Sequence, residues 1–179
     1  MDLRFLLAQL YVDSLVYKTT PKAIRLALEE LEIRGGGSND DKTSKTLDRA
    51  YMQAMERIGF QAQEHRGLAN QVLSWITCAK RRLTCSELQH AIAFEADETR
   101  DLDRENVTDI ELIVSVCAGL VIVEEESDII RLVHYTTQEY FERTWERWFP
   151  NAHANIARAC ATYLLFQLPF NIIIPNNNK

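Results

Sequence analysis

The sequence predicts a mainly α chain: a helical linker, then three helices and a β-hairpin forming one module, then trailing helices. Three observations carry this. Apolar residues recur at i, i+3, i+4 and i+7 along most of the chain. β-Branched runs with strand-like spacing occupy "LVIVEEESDIIRLVH" at 120–134. Proline, glycine and capping residues fall where those segments should start and stop.

The elements follow in order. Leu3, Leu6, Leu7 and Leu10 mark a first apolar stripe. "TTPKAIRLALEEL" opens a second helix with Thr20 as N-cap and Pro21 at the first helical position, where a missing N–H costs nothing. Ile24, Ala27, Leu28 and Leu31 share its face. "RGGGSNDDKTSK", residues 34–45, has the composition of a solvated loop. It is no phosphate loop, because the G-x-x-x-x-G-K-[ST] spacing is missing and a helix precedes it. Residues 46–65 read as a helical linker with Leu47, Tyr51, Met55 and Ile58 on one face.

The module spans 66–148. Its first helix carries Leu68, Val72, Trp75, Ile76 and Ala79 and ends at Lys80, Arg81 and Arg82, the cation-rich end that a helix dipole favours. "TCSE" matches a capping box, Thr84 with Glu87, ahead of Leu88, Ala91 and Ile92. The third helix carries Ile110, Ile113, Val114 and Cys117, with Gly119 near its expected stop. Three short helices followed by a hairpin is the order of a winged helix, a helix-turn-helix variant. After it, Thr136 can cap a helix with Glu139 at N3 and a face of Tyr140, Phe141, Thr144 and Trp148; Pro150 ends that helix. Ile156, Ala159, Cys160, Tyr163 and Leu164 mark one more helix within 149–168, and 169–179 is irregular.

Composition bounds the function. With 179 residues, 46% of them hydrophobic, the chain can supply a core. A net charge of −6 argues against a polyanion-binding surface spread over the whole chain and leaves room for a local basic patch. Cys78, Cys85, Cys117 and Cys160 lack the close pairs of metal or redox sites, so they read as small buried hydrophobes in a reducing, cytoplasmic setting. "MDLRFLLAQL" reads as a helix and not a signal peptide. The apolar run at 112–123 is shorter than the roughly 20 residues of a membrane span, so no membrane partner is expected.

A winged helix raises the question of DNA. From Glu105 to Ile130, the expected reading helix and wing carry Glu105, Asp109, Glu111, Glu124, Glu125, Glu126 and Asp128 and no Lys or Arg. That surface repels phosphate, so no nucleic acid is expected. Glu111, Glu124, Glu125, Glu126 and Asp128 are instead a candidate acidic surface for a protein partner. No catalytic or metal site is expected: no G-x-S-x-G, H-E-x-x-H or Cys/His spacing appears, the mixed-sign run 97–106 reads as a loop, and His65, His90 and His153 read as surface or packing residues.

"TPKAIRLALEEL", "VLSWITCAKRRLTCSELQHAIAFE" and "DIELIVSVCAGLVIVEEESDIIRLVHYTTQEYF" together resemble the region after the NACHT nucleotide-binding domain in fungal NACHT and ankyrin-repeat proteins. That region is similar to the winged helix named after GPI inositol-deacylase, a name that implies no deacylase activity here. The likeness covers roughly residues 5–165 and is dense over 68–145. It implies a signal-transduction NTPase related to NOD-like receptors, in which a P-loop domain binds ATP or ADP with Mg, the winged helix closes over the nucleotide, and repeats engage partners. Residues 1–33 would be the tail of the NACHT module. The chain itself, without P-loop, Walker B acid or ankyrin repeats, is expected to be a non-enzymatic regulatory fragment with no cofactor of its own. A stand-alone protein–protein adaptor is the alternative, and a DNA-binding regulator comes third.

His134 is where the period changes from strand to helix. An imidazole there either closes the strand by bonding a nearby backbone group or reaches a ligand. "RLVHYTTQEYF" resembles the "H-x-x-x-Q-E-[FY]-F" signature of NOD-like receptor winged helices, matched by His134, Gln138, Glu139, Tyr140 and Phe141. The resemblance implies that His134 touches the phosphates of bound ADP.

Overall fold

The computed structural model describes residues 3–15, 18–34, 40–96 and 107–167. Helices α1 (Leu3–Leu15), α2 (Pro21–Arg34) and α3 (Asp40–Gly59) come first, followed by α4 (Gln63–Cys78), β1 (Leu83–Thr84), α5 (Cys85–Ala96) and α6 (Ile110–Val116). Strands β2 (Val121–Glu124) and β3 (Ile129–Leu132) form the hairpin, and α7 (Tyr135–Trp148) and α8 (Ala152–Gln167) complete the chain. The fold is mainly helical around a winged helix.

The periodic faces explain the packing. In α3 the stripe of Leu47, Tyr51, Met55 and Ile58 is buried, with Ala50 and Ala54 filling between. Helix α4 lies at the centre, its Val72, Leu73 and Trp75 buried, and it packs against α3, α5, α6, α7, α8 and β3. Leu88 and Ile92 of α5, Ile113 of α6 and Phe141 of α7 join the same core. Two starts are capped as their sequences dictate. Thr20 Oγ1 accepts from the Ala23 N–H at 3.2 Å. In the capping box Thr84 Oγ1 accepts from the Glu87 N–H at 3.2 Å while Glu87 Oε2 accepts from the Thr84 N–H at 3.0 Å.

The sheet has one strand that periodicity did not reveal. Its order is β1-β3-β2, all antiparallel, with Leu83 opposite Ile130 and Val121 opposite Leu132. β1 has two residues, too few to show an alternation. The hairpin lacks an Asn-Gly turn because Asp128, at φ 53°, takes the left-handed position that a short polar side chain tolerates. Ser127 ties the turn to Glu124 through its N–H at 3.2 Å and its hydroxyl at 2.7 Å.

Several expectations need correction. Helix α3 starts at Asp40, so 40–45 is helical and not loop; past the glycines nothing in that stretch opposes a helix, and an acidic start suits the dipole. α6 ends at Val116, before Gly119, with both Ala118 (φ 51°) and Gly119 (φ 81°) left-handed. A Cβ on Gly119 would lie 2.5 Å from Asp13 Oδ2, so a larger residue would have to displace that side chain as well as adopt a positive φ. Cys160 is exposed and not buried, as are Tyr163 and Leu164, because α8 packs through Ala152, Ile156 and Ala159 and leaves its other face uncovered by the described residues; Leu28 on α2 is exposed too. Burial instead governs Cys85 and Cys117, whose thiols are pushed up to about 11 and about 12 and stay neutral. The run 97–106 and the tail 169–179 lie outside the described residues. No described helix is long and apolar enough to cross a membrane.

Glu87 gives this fold a pH dependence. Arg81 grips its carboxylate at 2.7 and 2.8 Å and the Thr84 N–H adds a third bond, lowering it from 4.5 to about 2. A depressed folded-state value means stability fully present above pH 4.5 and lost as pH falls toward 2. Denaturant titrations across that window should show Glu87→Gln with a flatter pH profile than wild type. Parallel profiles would mean that the Arg81–Glu87 pair is not linked to folding.

Candidate functional site

His134 follows directly from β3. Val133 is buried, with its N–H bonded to Leu120 O at 3.0 Å, which fixes the strand's exit. His134 is still extended, at φ −151° and ψ 157°, and α7 begins at Tyr135. The helix cap is therefore His134 and not Thr136: the imidazole Nδ1 accepts from the Thr136 N–H at 3.3 Å. Thr136 has another task, because its Oγ1 lies 2.8 Å from His134 Nδ1 and 2.7 Å from the Tyr51 hydroxyl.

The direction of this network follows from one donor. A backbone N–H can only donate, so Nδ1 is the acceptor and the neutral ring carries its proton on Nε2. Thr136 Oγ1 then donates to Nδ1, and the Tyr51 O–H donates to Thr136 Oγ1. Tyr51 is buried and its phenol is raised by that burial, against the opposing bond from Thr136, so it remains a protonated donor. Tyr135 packs on the imidazole at 4.4 Å between ring centroids.

His134 lines a pocket of about 460 Å³. Its other walls are the α4–β1 connection, with Lys80, Arg81 and Arg82, the outer side of β3 at Arg131, and Gln138 one turn into α7. The β1–β3 pairing brings these together: Leu83 faces Ile130, and the register continued by one residue sets Arg82 level with Arg131. The basic cluster that sequence assigned to the end of the first module helix thus sits beside the histidine. α4 ends at Cys78, with Ala79 as C-cap, and the three cations lie past it.

The other candidate residues separate into groups. Gln138 shares the pocket with His134 and donates to Glu142 Oε1 at 3.0 Å. Glu139 is exposed, and its carbonyl accepts from Arg143 Nε at 3.2 Å. Tyr140 and Phe141 belong to the core. Tyr140 accepts from Trp148 Nε1 at 3.3 Å and packs 5.3 Å from the Tyr51 ring, while Phe141 is fully buried, 5.5 Å from Phe149. Of the acidic set, Glu125, Glu126 and Asp128 share the β2–β3 turn and Glu124 ends β2, whereas Glu111 lies on α6. Arg131 approaches Glu124 at 3.7 Å, and the Ser127 hydroxyl, the stronger influence, helps hold that carboxyl below its usual range. Among the described residues no group of His, Cys, Asp or Glu could hold a metal ion.

Residues 55–147, just over half of the chain, match the profile of the GPI inositol-deacylase winged helix domain. The chain belongs to this winged helix family. No curated protein and no solved structure matches it.

The GPI inositol-deacylase-type winged helix region includes Tyr140, Phe141, His134 and the basic loop, and it begins inside α3 after Tyr51. Sequence reasoning did not place Arg82 and Arg131 beside His134. The available signal was three cations standing one residue ahead of the capping box, with Leu83 between, which places them in the connection that leads into β1.

Tyr51→Phe removes the donor to Thr136 and keeps the ring in the core. It should lower stability by about 1 kcal/mol, the usual net value of one hydrogen bond, and shift the His134 imidazole resonances. Chemical denaturation and NMR test this; unmoved His134 resonances would disconnect Tyr51 from the site.

Proposed function

We propose that this chain is a non-catalytic regulatory part of a NACHT-type signal-transduction ATPase, its winged helix closing over a nucleotide held by a P-loop domain. The observation that supports the reading is the division of labour on His134. Nδ1 is occupied in capping α7, which leaves Nε2–H as the donor on a residue lining a pocket rich in cations. A hydrogen bond from that N–H to a phosphate oxygen is worth about 1.5–3 kcal/mol, or roughly tenfold or more in affinity. If only the closed arrangement makes it, ADP shifts the population toward closed. Ankyrin repeats would be the parent protein's partner-binding part.

A second reading, a stand-alone adaptor, draws on the exposed acidic turn of Glu125 and Glu126, which suits a basic protein surface.

The test joins a related NACHT domain to this chain. His134→Ala should speed ADP release and favour the open, oligomer-prone state. His134→Asn, which keeps a good cap for the Thr136 N–H but not the imidazole's reach, should do the same without loss of helix stability. Unchanged ADP release in both folded variants would remove the nucleotide role. The chain alone should bind Mg-ATP and Mg-ADP weakly and hydrolyse neither; sub-micromolar binding by calorimetry would overturn the reading.

A further inference from the structure

The pocket beside His134 collects hydrogen-bond donors and positive charge from three separate elements, and no acidic residue lines it. Its cations are not equally available. Arg81 is gripped by Glu87 through two bonds at 2.7 and 2.8 Å and is spoken for. Arg131 donates to Leu132 O at 3.2 Å and lies 3.7 Å from Glu124, too far for a strong charge-assisted bond. Lys80 and Arg82 are exposed and, among the described residues, make no hydrogen bond or salt bridge; Arg82 is compensated only in part, through its charge acting on Glu124.

The register makes this uncompensated charge meaningful. Arg82 and Arg131 stand level across the β1–β3 pair, and like charges directly opposite in a sheet repel. After Ser127, both guanidinium groups lower the Glu124 carboxyl, so it offsets one of their two charges and the pair keeps a net positive charge. An anion seated between them would relieve the repulsion.

We propose that this recess is a binding site for two adjacent phosphate groups, with Lys80, Arg82 and Arg131 supplying charge and His134 Nε2–H and Gln138 supplying neutral donors. The donor set selects the ligand class. Guanidinium, ammonium and imidazole N–H groups line the recess, where the side-chain acceptors are the Gln138 amide oxygen and the Tyr135 hydroxyl, so the preferred ligand accepts hydrogen bonds and carries several charges. A lone carboxylate is satisfied by one guanidinium fork and needs no site of about 460 Å³ built from three elements. A diphosphate presents enough oxygens to use them all. The identity of the ligand in the cell rests on the nucleotide reading above; the existence of the site does not, since every residue belongs to this chain.

Calorimetric titration of the 179-residue chain with pyrophosphate at low ionic strength tests the proposal, with orthophosphate and duplex DNA as parallel arms. Pyrophosphate should bind with sub-millimolar affinity, orthophosphate more weakly, and both less well as salt rises. Lys80→Ala and Arg82→Ala should each weaken pyrophosphate by about tenfold, the loss expected for one charge-assisted hydrogen bond. Neither side chain has a hydrogen bond or salt bridge to lose among the described residues, so both variants should melt close to wild type, and Arg158→Ala on α8, outside the pocket, should bind normally. No pyrophosphate binding, or binding indifferent to Lys80 and Arg82, overturns the site. DNA binding that the same substitutions abolish and pyrophosphate does not compete would make the patch a nucleic-acid surface instead. Pyrophosphate binding in the chain with unaltered ADP release in the His134 chimera would keep the site and discard the NACHT reading.

Discussion

The site depends on β3 being the middle strand. Paired on one side with β2 and on the other with β1, β3 has neighbours along both edges and a fixed register. Ile130 and Leu132 point into the core, so the alternation of side chains turns Arg131 outward. The same pairing holds the α4–β1 connection against that outward side. Slipping β3 by one residue would bury Arg131 and expose Ile130, which is why burial of those two hydrophobes fixes the position of a charge.

The exit of β3 is equally constrained, from outside the module. Tyr51, on α3, reaches Thr136, and Thr136 reaches His134. This chain of hydroxyls couples the ring orientation of His134 to the docking of α3, whose packing is itself set by the apolar stripe around Tyr51. Buried polar groups that satisfy one another specify a single arrangement more sharply than apolar contact does. A movement of α3 would therefore be felt at the imidazole before it disturbed the hairpin.

Much of the fold was legible because it is local. The stripe of α3, the capping box at Thr84 and Glu87, and the hairpin each lie within a few consecutive turns or residues, where period and cap chemistry leave a signature. What was illegible is long-range. Cap preferences favour Thr136 over a histidine, but they take no account of Tyr51, which engages the threonine hydroxyl from far away in sequence. β1 is too short to carry a period, and without β1 the basic cluster reads as the cationic end of a helix and not as a wall of a pocket. The apolar positions of α2 and α8 were readable as stripes, yet Leu28, Tyr163 and Leu164 remain exposed, because a stripe says that a face is apolar and not what covers it.

Charge separates along one hairpin. Its turn carries Glu125, Glu126 and Asp128, while its return strand carries Arg131 toward Lys80 and Arg82, and Glu124 stands at the boundary. A net charge of −6 conceals this, since composition sums what the sheet keeps apart. The acidic turn opposes the use of the wing on DNA, whereas the basic recess accommodates a small anion that a long polyanion would reach only by approaching the wing as well. Screening at physiological ionic strength, about 8 Å, leaves the two regions partly independent, so one surface can repel phosphate backbone while the recess beside it attracts a phosphate group. His134 lines the same recess, with its ring position set by the cap on the Thr136 N–H.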